Sequence, residues 1–206
     1  MARRTRKPRS ALTRARQLLR DAGPRNLWFR TLGELGYRRQ LVTELRLPAP
    51  AVDAPQLSDA EMRFLGEADL DAYATLRGAS GEASERFARG ERCFGIWLDG
   101  KLVSTRWLAR GAVRLDYIDR EEVLAPADVY YHDVYTAPEY RGRGLSRWSA
   151  VFIPELLAAE GARRIVGLLE PENRAGMGAN KMAGYRVVGK IGYVKLGPWR
   201  RDFGRL

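Results

Sequence analysis

The sequence predicts a mixed α/β layer fold, and three observations carry that prediction. Apolar residues alternate on both sides of an Asp99-Gly100 turn, the mark of a β-hairpin. A strand over 129–136 runs into a turn with two glycines, and a helix opens at once from Leu145. A short apolar strand, a second helix and a further strand region then complete the chain. The order hairpin, β, α, β, α, β is that of a mixed sheet flanked by helices. Composition agrees: 206 residues, 45% apolar and 30% charged with 21 Gly and 10 Pro, suit one folded domain with an arm. They exclude bulk disorder and fibrous repeats.

Element by element, residues 1–9 read as a disordered basic tail, and Ser10 can cap a helix through about Asp21. The stretch to Leu47 ends in YRRQLVTELRL, a candidate strand, followed by the stiff Pro/Ala-rich linker PAPAVDAP over 48–55. We place a domain boundary here: 1–56 as arm and linker, 57–206 as the folded domain. Ser58 and Glu61 suit a capping box, and Met62–Leu65 suits a first strand equally well. Asp69 is expected to cap a helix carrying Leu70, Tyr73 and Ala74, with Gly78 ending it. A second helix is expected over 81–89. The hairpin strands cover Phe94–Leu98 and Leu102–Ala109, and the next strand Val129–Thr136. The helix from 145 to 160 presents Leu145, Trp148, Phe152 and Leu156 as a stripe. Pro154 within it predicts a kink or an early end, because it deletes a backbone donor. Strand 165–169, helix 173–183 and one or two strands over 185–196 follow.

The net charge is +11, but residues 1–30 hold ten Arg/Lys against the single acid Asp21, leaving 26 basic and 24 acidic side chains elsewhere. A nearly neutral domain carries a basic arm. For that arm a solvated tail is the commoner reading, with weak contact to an anionic surface as the alternative. Cys93 is the lone cysteine and His132 the lone histidine. No intramolecular disulfide, cysteine cluster or His-rich metal site is available within the chain. No apolar run approaches the ~20 residues of a membrane span, and no secretory h-region is present, so a cytoplasmic location is expected.

Chemistry concentrates in Val134-Tyr-Thr-Ala-Pro-Glu-Tyr-Arg-Gly-Arg-Gly-Leu-Ser146. Gly142 and Gly144 let the backbone turn its N–H groups inward, and the helix start adds unpaired donors and partial positive charge. That is an anion cradle fit for phosphate or pyrophosphate, with Arg141 and Arg143 beside it. An unliganded strand–turn–helix fits these thirteen residues equally well. The GxxxxGK[ST] and GxGxxG fingerprints are absent.

With its context, this segment resembles the GNAT superfamily of acyl-coenzyme A-dependent N-acyltransferases, whose pyrophosphate signature is [R/Q]-x-x-G-x-[G/A]. Here it stands as Arg141-Gly-Arg-Gly144-Leu-Ser146 after Pro138, and Asn173 with Gly184-Tyr185 keeps the family's later spacing. The resemblance covers roughly 57–206. It implies a mostly antiparallel central sheet and an acetyl-CoA or other acyl-CoA co-substrate without a metal. It also implies a small-molecule or peptide amine acceptor; a homodimer stays open. The strand backbone of Val134, Tyr135 and Thr136 would pair with the pantetheine arm. Arg141, Gly142, Arg143, Gly144, Leu145 and Ser146 would hold the pyrophosphate, and Asn173 and Asn180 would lie along the cofactor.

The implied reaction is direct attack of a neutral amine on the thioester, with a strand N–H polarising the carbonyl. An alkyl ammonium, pKa near ~10.4, must first lose a proton. His132 is the candidate base, its ordinary pKa of ~6.5 lying near working pH. By the period-2 rule Tyr130, His132 and Val134 share one strand face. Some family members carry histidines at the positions of Tyr130 and His132, so both are placed at the catalytic centre. A hydrogen-bonded core histidine is the competing reading. Asn180 stands where many members have a Tyr that protonates the leaving thiolate, and an amide cannot supply that proton. Tyr130, Tyr131, Trp97, Arg106 and Trp107 suit an acceptor pocket or plain packing, and no acceptor contact is assigned to them. Two other functions stay open: a non-catalytic acyl-CoA-binding module, and a nucleic-acid or membrane-surface protein acting through its arm.

Overall fold

The computed structural model describes residues 32, 33, 35–53, 57 and 59–206. The basic tail and the helix expected over 10–21 lie outside them. From residue 35 on, the described residues form ten strands and four α-helices in the order β1 (Tyr37–Arg46), β2 (Ala60–Phe64), α1 (Leu70–Arg77), α2 (Gly81–Ala88), β3 (Arg92–Leu98), β4 (Lys101–Ala109), β5 (Ala112–Leu115), β6 (Arg120–Val123), β7 (Asp128–Thr136), α3 (Leu145–Ala159), β8 (Arg164–Leu169), α4 (Arg174–Met182), β9 (Arg186–Leu196) and β10 (Trp199–Phe203).

Eight strands form one sheet in the order β10-β9-β1-β8-β7-β4-β3-β2. Its described pairs are antiparallel except β7 with β8. The hairpin forms as expected, with Asp99 at φ 50° and Gly100 at φ 72°, the left-handed pair that a tight two-residue turn needs.

The expected boundary at residue 56 does not separate an arm from the sheet. β1 lies inside it, hydrogen-bonded to β8 through Leu41–Arg46 and to β9 through Tyr37–Glu44. Its Leu41, Val42, Thr43 and Leu45 are buried. The sheet therefore starts at Tyr37, and the Pro/Ala stretch is a crossover between two of its strands.

The two sheet faces are covered differently. On one, Ile153 and Leu157 of α3 pack on Leu45, Leu108, Val129 and Ile165. On the other, the β5–β6 ribbon sets Val113, Leu115 and Ile118 against Val42, Tyr130, Val166 and Ile191. Helices α1 and α2 cover Trp107 and Cys93 beside it. Burial pushes the Cys93 thiol up to about 12, so it packs as a small apolar group.

Several local expectations change. Pro154 does not end α3, which continues to Ala159. The buried stripe of α3 is Leu145, Ser149, Ile153 and Leu157, and Phe152 is 42% exposed. That stripe is the i, i+4 row, one position off the apolar one, because the sheet sets the helix rotation. Asp69 does not cap α1 through its side chain. Its carboxylate takes two hydrogen bonds from Arg63 at 2.7 Å and one from Gly66 N at 3.0 Å. The β5–β6 ribbon and β10 were not anticipated at all. Among the described residues no helix is long and apolar enough to cross a membrane.

Candidate active site

β7 and β8 pair in parallel only from Asp128–Arg164 to Tyr131–Gly167. Beyond Tyr131 they separate, and residues 132–136 lose their partner on the β8 side. The cause is a bulge against β4. Thr105 pairs with Tyr135 and Trp107 with His132, so Asp133 and Val134 stand opposite Arg106 alone. Asp133 sits at φ 43°, a left-handed conformation uncommon for a side-chain-bearing residue.

Two arginines hold that bulge. Arg77 Nη2 donates to both Asp133 oxygens at 2.8 and 3.0 Å, and Arg86 Nη1 donates to Oδ2 at 2.7 Å. The pairs tie α1 and α2 to the strand at the point where the gap opens. Asp133→Asn is expected to cost roughly 2–3 kcal/mol in urea unfolding, since Asn tolerates the backbone but leaves the buried Arg86 short of its acid. A loss under 0.5 kcal/mol would reduce the clamp to a surface pair.

The gap leads to the glycine turn. Gly142 and Gly144 have φ of 77° and 81°, and a Cβ added at Gly142 would meet no atom within 4 Å. Gly144 is the N-cap of α3 and no side chain caps it, so the first-turn amides are free for an anion. Leu145 is buried against Ile96 and Val103, which fixes the helix start, while Ser146 is exposed. Arg141 Nε donates to Thr136 O at 3.0 Å, and the Arg143 guanidinium lies 5.0 Å from the Tyr140 ring centroid. These donors, left-handed glycines and fixed charges fit a pyrophosphate.

Along the strand, the Thr136 hydroxyl lies 2.7 Å from Ser104 Oγ, and Tyr135 stacks under Arg77 at 4.6 Å. Val134 is 48% exposed. The bulge breaks the period-2 rule after His132, so Val134 does not continue the face of Tyr130 and His132. Those two remain together, their rings stacked with centroids 4.8 Å apart. Tyr130 is buried in the core, and its hydroxyl is pushed up by burial and by the nearby Asp116 and Glu91.

His132 has a partner that the sequence reading missed. Its Nε2 lies 3.1 Å from Glu91 Oε2, an ion-pair contact off the line of a good N–H···O bond. The other oxygen, Oε1, accepts from Arg89 at 2.9 and 3.1 Å. Burial opposes the Glu91 charge, but His132 and Arg89 outweigh it and hold the carboxyl below its usual range. Nε2 facing an acid leaves Nδ1 as the ring's accepting atom.

Asn173 caps α4, its Oδ1 accepting from Gly176 N at 2.8 Å. Asn180 Nδ2 donates to Thr43 Oγ1 at 3.4 Å, and Thr43 Oγ1 donates to Gly167 O at 3.1 Å. Asn180 thus lies over the closed end of the gap, tied to the inserted strand β1. Trp107 and Tyr73 form a buried edge-on pair, so Trp107 is packing. Tyr185 packs with the α3-side core.

A family model described as the acetyltransferase (GNAT) family matches residues 54–185. The chain belongs to the GNAT acetyltransferase family. Among solved structures, it is similar to a GNAT-family acetyltransferase from Colwellia psychrerythraea, with a TM-score of 0.52 and 19% identity over 80% of this chain and 60% of that one. It is also similar to an aminoglycoside N-acetyltransferase in complex with CoA, with a TM-score of 0.51 and 16% identity over 66% of this chain and 96% of that one. A conserved protein of unknown function from Staphylococcus epidermidis has a TM-score of 0.51 at 8% identity, over 79% of this chain and 63% of that one. At these identities the likeness shows the GNAT fold alone. The chain spans about three fifths of the length of the Colwellia and Staphylococcus proteins. No curated protein matches it significantly by sequence.

Proposed function

We propose that this GNAT protein moves an acetyl or other acyl group from acyl-coenzyme A to a primary amine by direct attack in a ternary complex. One observation carries the reading: the gap that opens beyond Tyr131 ends on an uncapped helix start flanked by two left-handed glycines. A strand edge that pairs with an extended amide chain, joined to a pyrophosphate cradle, is complementary to the phosphopantetheine end of coenzyme A. The thioester supplies the activated acyl group. The backbone of Val134–Thr136 aligns the arm, and the amides of Arg143–Ser146 with Arg141 bind the pyrophosphate. A strand N–H polarises the acyl carbonyl. His132 takes the ammonium proton on Nδ1, and Glu91 holds the ring in that orientation.

Calorimetric titration with coenzyme A tests the site, and release of free thiol with a panel of amines tests the reaction. Gly144→Val is expected to weaken coenzyme A binding at least ~10-fold, because a β-branched residue resists φ of 81° and its branches crowd the cradle. Equal affinity in the variant would overturn the cradle assignment. A non-catalytic acyl-CoA-binding module is the second reading, favoured by Asn180, whose amide bonds to Thr43 and has no acidic proton to give. Binding without turnover on any amine would select it.

A further inference from the structure

Basic side chains gather at both ends of this chain, and the fold sets the attachment point of the arm beside the C-terminal hairpin. Residues 174–206 carry eight Lys and Arg against the single acid Asp202, while residues 31–173 hold 18 basic and 23 acidic side chains. The nearly neutral domain is thus an acidic body with a strongly basic C-terminal part. Lys190, Lys195, Arg201 and Arg205 are exposed, and none of them makes a side-chain hydrogen bond or ion pair among the described residues. Arg30, the last cation of the arm, precedes Leu35 by five residues, and Lys195 N donates to Gly36 O at 2.7 Å. The arm therefore joins the sheet next to the turn between β9 and β10.

Large apolar side chains stand bare at that same turn. Leu35 is 67% exposed, Leu196 64% and Trp199 52%. Leu196 and Trp199 are a register pair, so both leave the same face of the hairpin, and Arg201 follows on that face two residues along β10. None of the three apolar residues packs into the core clusters. A single exposed apolar side chain is ordinary, but three on adjoining segments, rimmed by unpaired cations, mark a contact surface. The turn also has a defined place. β1 runs antiparallel to β8 and β9 antiparallel to β1, so the start of β1 and the β9–β10 turn lie at the end of the sheet toward which the β7–β8 gap opens.

We propose that the β9–β10 turn, with Leu35 beside it, docks this protein on an anionic lipid bilayer. Charge complementarity selects the partner. The unpaired cations meet acidic headgroups, and Leu35, Leu196 and Trp199 enter the boundary between headgroups and acyl chains, the depth at which Trp is enriched. Stable attachment takes two signals, and the apolar turn and the basic side chains around it supply them. A nucleic acid engages cations and aromatic rings but gains nothing from Leu35 and Leu196. A second copy of the chain, paired across a two-fold axis, would bring like-charged hairpins face to face. The docking surface does not depend on the acyl-CoA reading.

Flotation of the full chain with phosphatidylcholine vesicles, with and without phosphatidylserine, tests this surface. Binding to the phosphatidylserine vesicles is expected to be at least ~10-fold tighter and to weaken as salt is added. Leu196→Ser combined with Trp199→Ser should lower that binding at least ~10-fold and leave the thermal melt unchanged, since both side chains are exposed. Lys195→Glu combined with Arg201→Glu should lower it at least ~10-fold as well. Absence of wild-type binding, or equal binding to both vesicles, overturns the proposal. So does undiminished binding in the Leu196/Trp199 variant, which leaves the arm's charge as the whole cause. If that variant melts well below the wild type, the charge variant decides by itself: a ~10-fold loss sustains the surface and undiminished binding overturns it. Retention of single-stranded RNA in place of vesicles makes the surface a nucleic-acid one, and dimerisation through the turn makes it a subunit interface; either result overturns the bilayer.

Discussion

Replacing His132 by Ala is expected to lower turnover about 10²–10³-fold at neutral pH, the range of a lost general base. The expectation rests on the stacked, acid-paired imidazole beside the opening of the β7–β8 gap. General-base catalysis gives the wild-type rate a limb that falls toward acid pH. The Ala variant loses that limb and runs flat at its low rate, because the remaining route through water does not titrate there. Glu91 is not expected to supply the limb, since His132 and Arg89 hold its carboxyl below the usual range. Glu91→Gln is expected to lose about tenfold by freeing the ring's orientation. Both variants are read in steady-state assays against pH with the best amine of the panel. A pH–rate profile in His132→Ala that matches the wild type would remove His132 from the mechanism and leave it a packed, ion-paired strand residue.

A chain that begins at residue 57 is expected not to fold, although the family match begins at 54. Removing β1 takes a strand out of the middle of the sheet, and β8 and β9 are each left with an open edge. Leu41, Val42 and Leu45 leave the core with it. Their burial alone is worth roughly 4.5–9 kcal/mol at about 1.5–3 for each aliphatic side chain. That approaches the whole stability of a domain, about 5–15 kcal/mol, before any ladder bond is counted. A chain starting at residue 32 keeps β1 and is expected to unfold cooperatively. Circular dichroism melts of the two fragments decide the matter. A cooperative melt from 57–206 would show that β1 is an accessory strand.

These two expectations differ in how far the chain alone could reach them. His132 could be named as a candidate because it is the single histidine and the family resemblance places it at the catalytic centre, with a hydrogen-bonded core histidine as the competing reading. Its partner Glu91 could not, since it lies at the head of β3 and meets His132 only through the pairing of β3, β4 and β7. The strand YRRQLVTELRL was legible as a strand by its alternation, yet its place was not. Proline linkers separate domains as readily as they cross between strands of one sheet, and the chain prints no sign of which. The bulge at Asp133 escaped for a related reason. Nothing in His-Asp-Val marks an extra residue until β4 lies alongside and pairs Thr105 and Trp107 with Tyr135 and His132.

What the sequence determined by itself was local: the turn at Asp99-Gly100, the ends of α1 at Gly78 and of α4 at Asn173, and above all the left-handed glycines of the cradle. Such features depend on the φ that one residue tolerates or the hydrogen bond it makes a few positions away, so they are set before the chain folds. Tertiary structure alone decided that β1 is central, that α3 turns Ser149 inward instead of Phe152, and that Arg106 lies buried across from a bulge. Each of these depends on which distant segment supplies the partner strand or packing face, and that choice is made by the sum of many weak contacts, none of them written in any single residue.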